Sequence, residues 1–343
     1  MILIDGGIGW GQVLRTAIAL SSLTLKPVKV INIRKGRPRP GLMAQHATGI
    51  KIASEFCNAH VKGLKVGSLE VEFSPKKHHF ENKKFINIGT AGSIALLLQT
   101  LSPLLIFADK EVELEIKGGT FGLGAPTIEY LKYIAFPILS KLGLKEPEIE
   151  IKQQGGYPKG GGLVKIKFFP VEKLSSVKLI ERGKVKKIKG ISLACNLPID
   201  VAYRQANAAK NLLLKNYEEI EITPQVEKSL SPGTSITLWA ECENSILGSD
   251  NIGKKGVRAE NIGEEAAKEL IKSIESEAAL DKFMADQIIP FIALASGTSE
   301  IKVEEITEHC ETNIRVCEQI LGVKFEIDKN RKIISVDGVG FKE

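Results

Sequence analysis

The sequence has few residues of the kinds that build metal sites or disulfide frameworks. Five cysteines and five histidines occur among 343 residues. The cysteines form no CxxC pair, and neither an HExxH motif nor a spaced Cys/His set occurs, which argues against structural zinc. Scattered single cysteines are typical of reduced thiols, so we expect a cytoplasmic protein.

The sequence also lacks a long hydrophobic run. The longest apolar stretch, residues 94–108, is too short to span a bilayer and is interrupted by Gln99 and Pro103. The N-terminus has no basic segment followed by a long apolar one, so we expect no signal peptide. Association with a membrane is therefore not expected.

Two nucleotide-binding fingerprints are incomplete. Gly7, Gly9 and Gly11 miss the GxGxxG spacing, and Arg34 stands where an acidic residue would contact a ribose. Residues 248–255 match GxxxxGK, but Lys255 occupies the position of the magnesium-binding Ser or Thr. The sequence therefore argues against an NAD site and against a P-loop.

The residues that are present form an ordinary globular composition, with 43% hydrophobic and 26% charged residues. The net charge of +6 favours an anionic partner. Lysine-rich solvated surfaces alone would produce the same value, so this alternative stays open.

A repeated pattern organises the chain. Three segments each read helix, turn, strand, loop and helix, with central strands that begin near Val28, Glu111 and Glu300. The pattern predicts an α/β (α+β) fold in which three repeated βαβαβ-type units form one large domain.

The spacing of the repeats predicts an insertion. The central strands are 83 and then 189 residues apart, and the difference is about the size of a small domain. We expect residues 1–183 and 281–343 to form the large domain, and residues 184–280 a smaller inserted α/β domain.

The loop between the central strand and the second helix recurs in all three units, and equivalent loops on a rigid scaffold often carry function. The first loop is basic and is followed by Gln45 at a helix start, which suits phosphate oxygens. A solvated basic turn is the alternative. The cations of this loop are Arg34, Lys35, Arg37 and Arg39.

The second and third loops contain a glycine-rich stretch and a histidine. Residues 118–126 read GGTFGLGAP, which allows a ligand to approach the backbone closely. Tyr130, one helical turn after Pro126, could stack on a base, or it could be a core tyrosine. His309 ends the third loop, and a hydrogen-bonded structural role is the alternative to a functional one.

Several segments resemble RNA 3′-terminal phosphate cyclases, in order and over nearly the whole chain. They are IRKGRPRPGLMAQH (33–46), GTAGSIALLLQT (89–100), GGTFGLGAP (118–126), GGYPKGGG (155–162), ERG (181–183), ADQ (285–287) and HCETN (309–313). The resemblance implies three repeated α/β units with a smaller inserted domain.

The resemblance also implies a reaction. A histidine, here His309, attacks the α-phosphorus of ATP and forms a covalent histidine–AMP. The AMP passes to an RNA 3′-phosphate, and the neighbouring 2′-OH then displaces AMP and closes a 2′,3′-cyclic phosphate. ATP, a divalent metal (Mg or Mn) and an RNA with a 3′-phosphate end are the implied cofactors and partner.

The same resemblance assigns roles to nine further residues. Phosphates would be contacted by Arg15, Arg34, Arg37 and Gln45, the adenine by Pro126 and Tyr130, and the rest of the nucleotide site by Gln99, Asp286 and Gln287.

Three positions depart from the family pattern. Ile8 stands where a glutamate associated with metal and nucleotide is usual, so the metal ligand is unknown, although Asp5 lies nearby in sequence. Phe121 and Phe283 replace a common Asn or Asp and a common Tyr. A non-catalytic cyclase-like ribosome-assembly factor and an enolpyruvyl-type transferase are the alternative functions, the first disfavoured by His309 and the second by the matching motifs.

Overall fold

The computed structural model describes residues 1–8 and 10–342, and helices and strands are mixed throughout. Across those residues, sixteen strands form four sheets of four strands each, with helices packed against the sheets. The α/β class expected from the sequence is confirmed.

The first unit begins with a parallel pair of strands joined through a helix. It comprises β1 (Ile2–Asp5), α1 (Trp10–Thr24), β2 (Val28–Ile31), α2 (Ala44–Phe56), β3 (His60–Lys62) and β4 (Val71–Ser74). β1 and β2 are parallel, whereas β4 pairs antiparallel with β2 and with β3. The strand order is β1-β2-β4-β3.

The second unit repeats this arrangement. It comprises β5 (Lys83–Asn87), α3 (Ile94–Leu105), β6 (Val112–Gly118), α4 (Ile128–Tyr130), a π-helical turn (Leu131–Ala135), α5 (Phe136–Ser140), β7 (Glu148–Gln153) and β8 (Gly162–Phe168). The order β5-β6-β8-β7 has the same parallel and antiparallel pairs. The second helix of this unit is therefore one helical segment with a π-helical middle.

A fourth sheet interrupts the third unit after its first strand, β9 (Lys178–Leu179). It comprises β10 (Val185–Cys195), α6 (Ile199–Leu213), β11 (Ile220–Glu227), β12 (Gly233–Cys242), β13 (Ile246–Ile252) and α7 (Ala259–Glu275). Its order is β11-β10-β12-β13. These elements lie inside the segment 184–280, and we call them the inserted domain.

The third unit resumes after the inserted domain with α8 (Lys282–Leu294), β14 (Ser296–Lys302), α9 (Glu308–Leu321), β15 (Phe325–Asp328) and β16 (Ile333–Val339). β9 pairs parallel with β14, and the order β9-β14-β16-β15 repeats that of the other two units. Each unit thus has one more antiparallel strand than the βαβαβ pattern expected from the sequence.

The helices pack their apolar faces into two large hydrophobic cores, one in the three repeated units and one in the inserted domain. α1 packs against α3 and α9, and α8 packs against α9, so the helices of all three units share one core. α6 and α7 cover a separate core on the inserted sheet, which includes Ile236, Leu238 and Leu270. Trp239 joins the two, since its ring stacks on Tyr133 at 4.6 Å.

Candidate active site

The side chain of Arg15, on α1, is the centre of a group of polar residues. It donates a hydrogen bond to Gln12 Oε1, and its Nε is enclosed without a partner. A Cβ on Gly11 would lie 2.8 Å from His46 Nε2 and 3.2 Å from an Arg15 guanidinium nitrogen, so all three are close together. Burial lowers the pKa of Arg15 to about 10, while Asp286 acts in the opposite direction. Arg15 remains a cation at neutral pH.

His309 lies in the first turn of α9, not at the end of a loop as expected from the sequence. Thr307 caps this helix, because its hydroxyl accepts a hydrogen bond from the Cys310 N–H at 3.1 Å, and the helix therefore begins at Glu308. The ring is half-buried, and its Nδ1 is enclosed without a hydrogen-bond partner.

The surroundings of His309 favour a neutral imidazole. Burial lowers its pKa from the usual value of 6.5, Arg15 and Arg37 lower it further, and Glu308 opposes them. A neutral ring keeps a lone pair on one nitrogen, which is the form that acts as a nucleophile.

Asp286, on α8, lies beside the same arginine. Burial raises its pKa to about 7, with Arg15 opposing and Asp281 adding to the rise. Its carbonyl accepts a hydrogen bond from Asn313 Nδ2 at 2.8 Å, and Asn313 Oδ1 accepts one from Thr16 Oγ1 at 2.7 Å. Asn313 therefore ties α1, α8 and α9 together around Arg15, a role that the sequence did not reveal.

The basic loop contributes two arginines with different surroundings. Arg34 donates a hydrogen bond to the Gly41 carbonyl at 2.8 Å, so it holds the shape of its own loop. Arg37 is exposed and lies near enough to His309 to lower its pKa. Burial, and then Arg37, lower the pKa of Arg34. Arg37 is thus the cation of this loop that faces the histidine.

Four glutamines lie close to the group but face different spaces. Gln99 and Gln287 line a cavity of about 30 Å³ together with Gln12, and Gln99 Oε1 has no hydrogen-bond partner. Such a volume admits a water molecule but no nucleotide. Gln45 Oε1 accepts a hydrogen bond from the Ser93 N–H at 2.9 Å and so connects the first unit to the second.

Tyr130 does not present a ring face to a ligand, contrary to the stacking role considered for it. The side chain is 1% exposed, and its hydroxyl donates a hydrogen bond to Asp281 Oδ1 at 2.7 Å. The core alternative is the one that the structure favours. Phe283 packs against this ring edge-on at 6.3 Å and is 40% exposed, so it offers the accessible aromatic face. Pro126 is half-buried, just before Thr127, which caps α4.

Comparisons with known proteins agree with this arrangement. A sequence profile described as RNA 3′-terminal phosphate cyclase matches residues 6–327. The chain belongs to the RNA 3′-terminal phosphate cyclase family. A cyclase of this name from Pyrococcus abyssi is 46% identical over 331 residues, which cover 96% of this chain and 95% of the relative. A cyclase of the same name from Ignicoccus hospitalis is 42% identical over 329 residues, which cover 94% of this chain and 93% of the relative.

Among solved structures, the enolpyruvyl transferase NikO from Streptomyces tendae is 12% identical, with a TM-score of 0.28 over 98% of this chain and 81% of that one. A similarity this weak carries no argument about function.

This member of the cyclase family has no preformed metal cage in the part of the chain that the structure describes, where no three His, Cys, Asp or Glu side chains converge. Asp5 Oδ1 already accepts hydrogen bonds from the Gly7 N–H at 2.8 Å and from Asn32 at 3.1 Å. Ile8 is exposed and offers no ligand. The residues present do not fit a protein-bound divalent ion, so no chemical step is assigned to one.

All five cysteines are buried free thiols. Within residues 1–8 and 10–342, no helix is both long and apolar enough to cross a membrane.

Proposed function

We propose that the protein converts an RNA 3′-phosphate into a 2′,3′-cyclic phosphate at the expense of ATP, with His309 as the nucleophile. The observation that carries the proposal is the half-buried ring of His309 in the first turn of α9, whose pKa is lowered by burial and by the cations Arg15 and Arg37. The names of the relatives from Pyrococcus abyssi and Ignicoccus hospitalis support the same activity.

In the first step, a ring nitrogen of His309 attacks the α-phosphorus of ATP. Nδ1 is enclosed by protein, so the attacking atom is Nε2 and the proton of the neutral ring stays on Nδ1. The Nε2–P bond forms while the bond from phosphorus to pyrophosphate breaks. Arg15 and Arg37 are placed to stabilise the negative charge on the phosphates.

In the second step, an oxygen of the RNA 3′-phosphate attacks the same phosphorus and the Nε2–P bond breaks, which gives RNA(3′)pp(5′)A. In the third step, the neighbouring 2′-OH attacks the RNA phosphorus and AMP leaves. The AMP group is needed because an unactivated phosphate monoester has no good leaving group.

The nucleotide needs an apolar surface for its base, and Phe283 supplies one. Its exposed ring stands on the first turn of α8, three residues before Asp286. Its ring packs against the buried Tyr130 and is 40% exposed, so part of it is accessible to a base.

The test is transfer of label from [α-³²P]ATP to the protein. The wild type should acquire one AMP through a phosphorus–nitrogen bond, which is labile to acid and resistant to alkali. The His309→Asn variant should acquire none and leave RNA 3′-phosphate uncyclised, yet cyclise RNA(3′)pp(5′)A supplied from outside, because only the histidine-dependent steps are missing.

The matched control is His79→Asn, which changes an exposed histidine on another surface and should label normally. Labelling of His309→Asn at the wild-type rate would contradict the assignment. A folded wild type that neither labels nor cyclises would favour the non-catalytic assembly factor.

A further inference from the structure

A large cleft separates the second unit from the inserted domain, and the reaction steps above do not use it. Its volume is about 1010 Å³. One wall is formed by residues 121–125 of the glycine-rich loop together with Tyr157 and Pro158, and the other by the β12–β13 end of the inserted domain, including Thr234 and residues 252–255. We call it the interdomain cleft.

The side chains of the interdomain cleft suit a single-stranded anionic polymer. Among the described residues, the charged side chains that line it are Lys254 and Lys255, both exposed, and none of the lining side chains is acidic. No ion pair of either lysine occurs among the described residues. Tyr157 also lines the cleft and is 80% exposed. Most of the other lining side chains are apolar. Two cations and an accessible aromatic ring beside an apolar wall can bind a single strand, by charge neutralisation and base stacking.

α2 contributes to both the cleft and the candidate active site. Gln45 lines the cleft, and the next residue, His46, lies beside Gly11 and Arg15. Neither His309, Asp286 nor Phe283 lines the cleft. The cleft is therefore distinct from the space beside Phe283 that we assign to the nucleotide.

The cleft is large enough for more than one nucleotide. Small-ligand pockets have volumes of roughly 300–1,000 Å³, so this cleft is at the upper limit for one ligand. The glycines at positions 122, 124 and 253 leave the backbone of both walls accessible.

We propose that the interdomain cleft binds the nucleotides that precede the 3′-phosphate of single-stranded RNA, with Lys254 and Lys255 neutralising backbone phosphates and Tyr157 stacking on a base. This assignment rests on the proposed function for the identity of the polymer, and it gives the inserted domain a role in holding the substrate.

The experiment measures binding of a 5′-fluorescent oligouridylate that ends in a 3′-phosphate, by anisotropy over a series of salt concentrations. The Lys254→Gln/Lys255→Gln variant should bind about tenfold more weakly at low salt, because two phosphate contacts are lost. The slope of log K against log salt should fall by about 1.4, at about 0.7 for each phosphate of a single strand.

The matched control is Lys215→Gln/Lys268→Gln, which removes the same charge from an exposed groove between α6 and α7. It should bind the oligonucleotide like the wild type. Uridine 3′-phosphate, too short to fill the cleft, should bind both double variants equally well. Tyr157→Leu should weaken oligonucleotide binding about fivefold or more, whereas Tyr157→Phe should not, because stacking requires only the ring.

The outcomes separate this inference from the proposed function. Three results would overturn the cleft assignment, even if AMP labelling is normal. They are a wild type that does not bind the oligonucleotide, cleft variants that bind it as well as the wild type does, and a control variant that is weakened as much as the cleft variants. If a cleft variant is labelled poorly by ATP but binds the oligonucleotide normally, the cleft binds the nucleotide, and the assignment to RNA is wrong. Cleft-dependent binding without AMP labelling would leave this inference standing and reject the proposed function.

Discussion

Replacing Tyr130 with phenylalanine tests whether this residue belongs to the core or to the nucleotide site. The change keeps the ring and removes one hydrogen-bond donor to Asp281. Asp281 is fully buried, and its carboxylate also accepts hydrogen bonds from the N–H groups of Gly248, Phe283 and Met284. The bonds from Phe283 and Met284 cap α8, and the bond from Gly248 joins this cap to β13 of the inserted domain, so the carboxylate is a junction between parts of the chain.

The expected loss of folding free energy in Tyr130→Phe depends on the hydrogen bonds to Asp281 that remain after the substitution. A hydrogen bond to a charged group contributes about 1.5–3 kcal/mol. Three donors to Asp281 survive and phenylalanine fills the same space, so the lower part of the range, about 1.5–2 kcal/mol, applies. With a urea m-value of roughly 3 kcal/mol per M, the unfolding midpoint should fall by about 0.5 M.

The loss of stability in Tyr130→Phe should also depend on pH, and it should be larger at higher pH. Burial raises the pKa of Asp281 from 3.8 to about 6, and the Tyr130 hydroxyl is one of the groups that lower it. Removing that hydroxyl raises the folded-state pKa further. The folded variant therefore holds its proton to a higher pH than the folded wild type, and its deficit in stability should grow as pH rises through about 6.

Urea unfolding followed by fluorescence, at a pH well above and a pH well below 6, measures both effects. Tyr203→Phe, an exposed tyrosine on α6, is the matched control and should leave the midpoint unchanged. The concentration of ATP needed for half-maximal AMP labelling should be the same in Tyr130→Phe as in the wild type. An unchanged midpoint for Tyr130→Phe would refute the buried hydrogen bond.

Substitutions at four further positions have defined outcomes. Under the proposed function, labelling requires the neutral ring of His309, so the initial rate of labelling should fall as pH drops through the pKa of His309. Because Arg37 lowers this pKa and Glu308 raises it, Arg37→Gln should move the midpoint of the pH–rate curve upward and Glu308→Gln should move it downward. Shifts of both midpoints in the same direction would contradict these electrostatic effects. Phe283→Leu should raise the ATP concentration for half-maximal labelling about tenfold, equivalent to about 1.4 kcal/mol, while Phe283→Tyr should leave it unchanged. Gly11→Ala should slow labelling and lower the free energy of unfolding in urea by about 1–3 kcal/mol, because the new Cβ would clash with the ring of His46. That ring accepts a hydrogen bond from the Met43 N–H, which holds it in place. A normal labelling rate and a normal free energy of unfolding would show that the ring can move away.

The repeated units could be predicted from the sequence because each has the same period and the same order of apolar segments. The sequence pattern predicts three strands in each unit where the structure has four, because short strands such as β3 and β15 carry little pattern of their own. α9 begins two residues earlier than the sequence pattern predicts, so His309 lies in its first turn. A threonine that caps a helix cannot be told from a loop threonine in sequence, and only the hydrogen bond from the Cys310 N–H identifies the cap.

The surroundings of the site depend on contacts between distant parts of the chain. Thr16 and Asn313 are 297 residues apart and yet share a hydrogen bond, and no local pattern indicates such a pair. Tyr130 and Phe283 illustrate the same limit. Both are aromatic residues in first helical turns, and only the packing of α8 against the second unit decides which ring is buried.

The split in the third unit has a consequence for how the protein is made. β9 leaves the ribosome long before β14, its only hydrogen-bonded neighbour within the described sheet, and the whole inserted domain is synthesised between them. A folded inserted domain with its own core shortens the effective loop that must close, which lowers the entropic cost of that pairing. α9, which carries the proposed nucleophile His309, is synthesised later still. Under the proposed function, a chain that stops before α9 lacks the residue that receives AMP, so the reactive centre cannot form until α9 has been made.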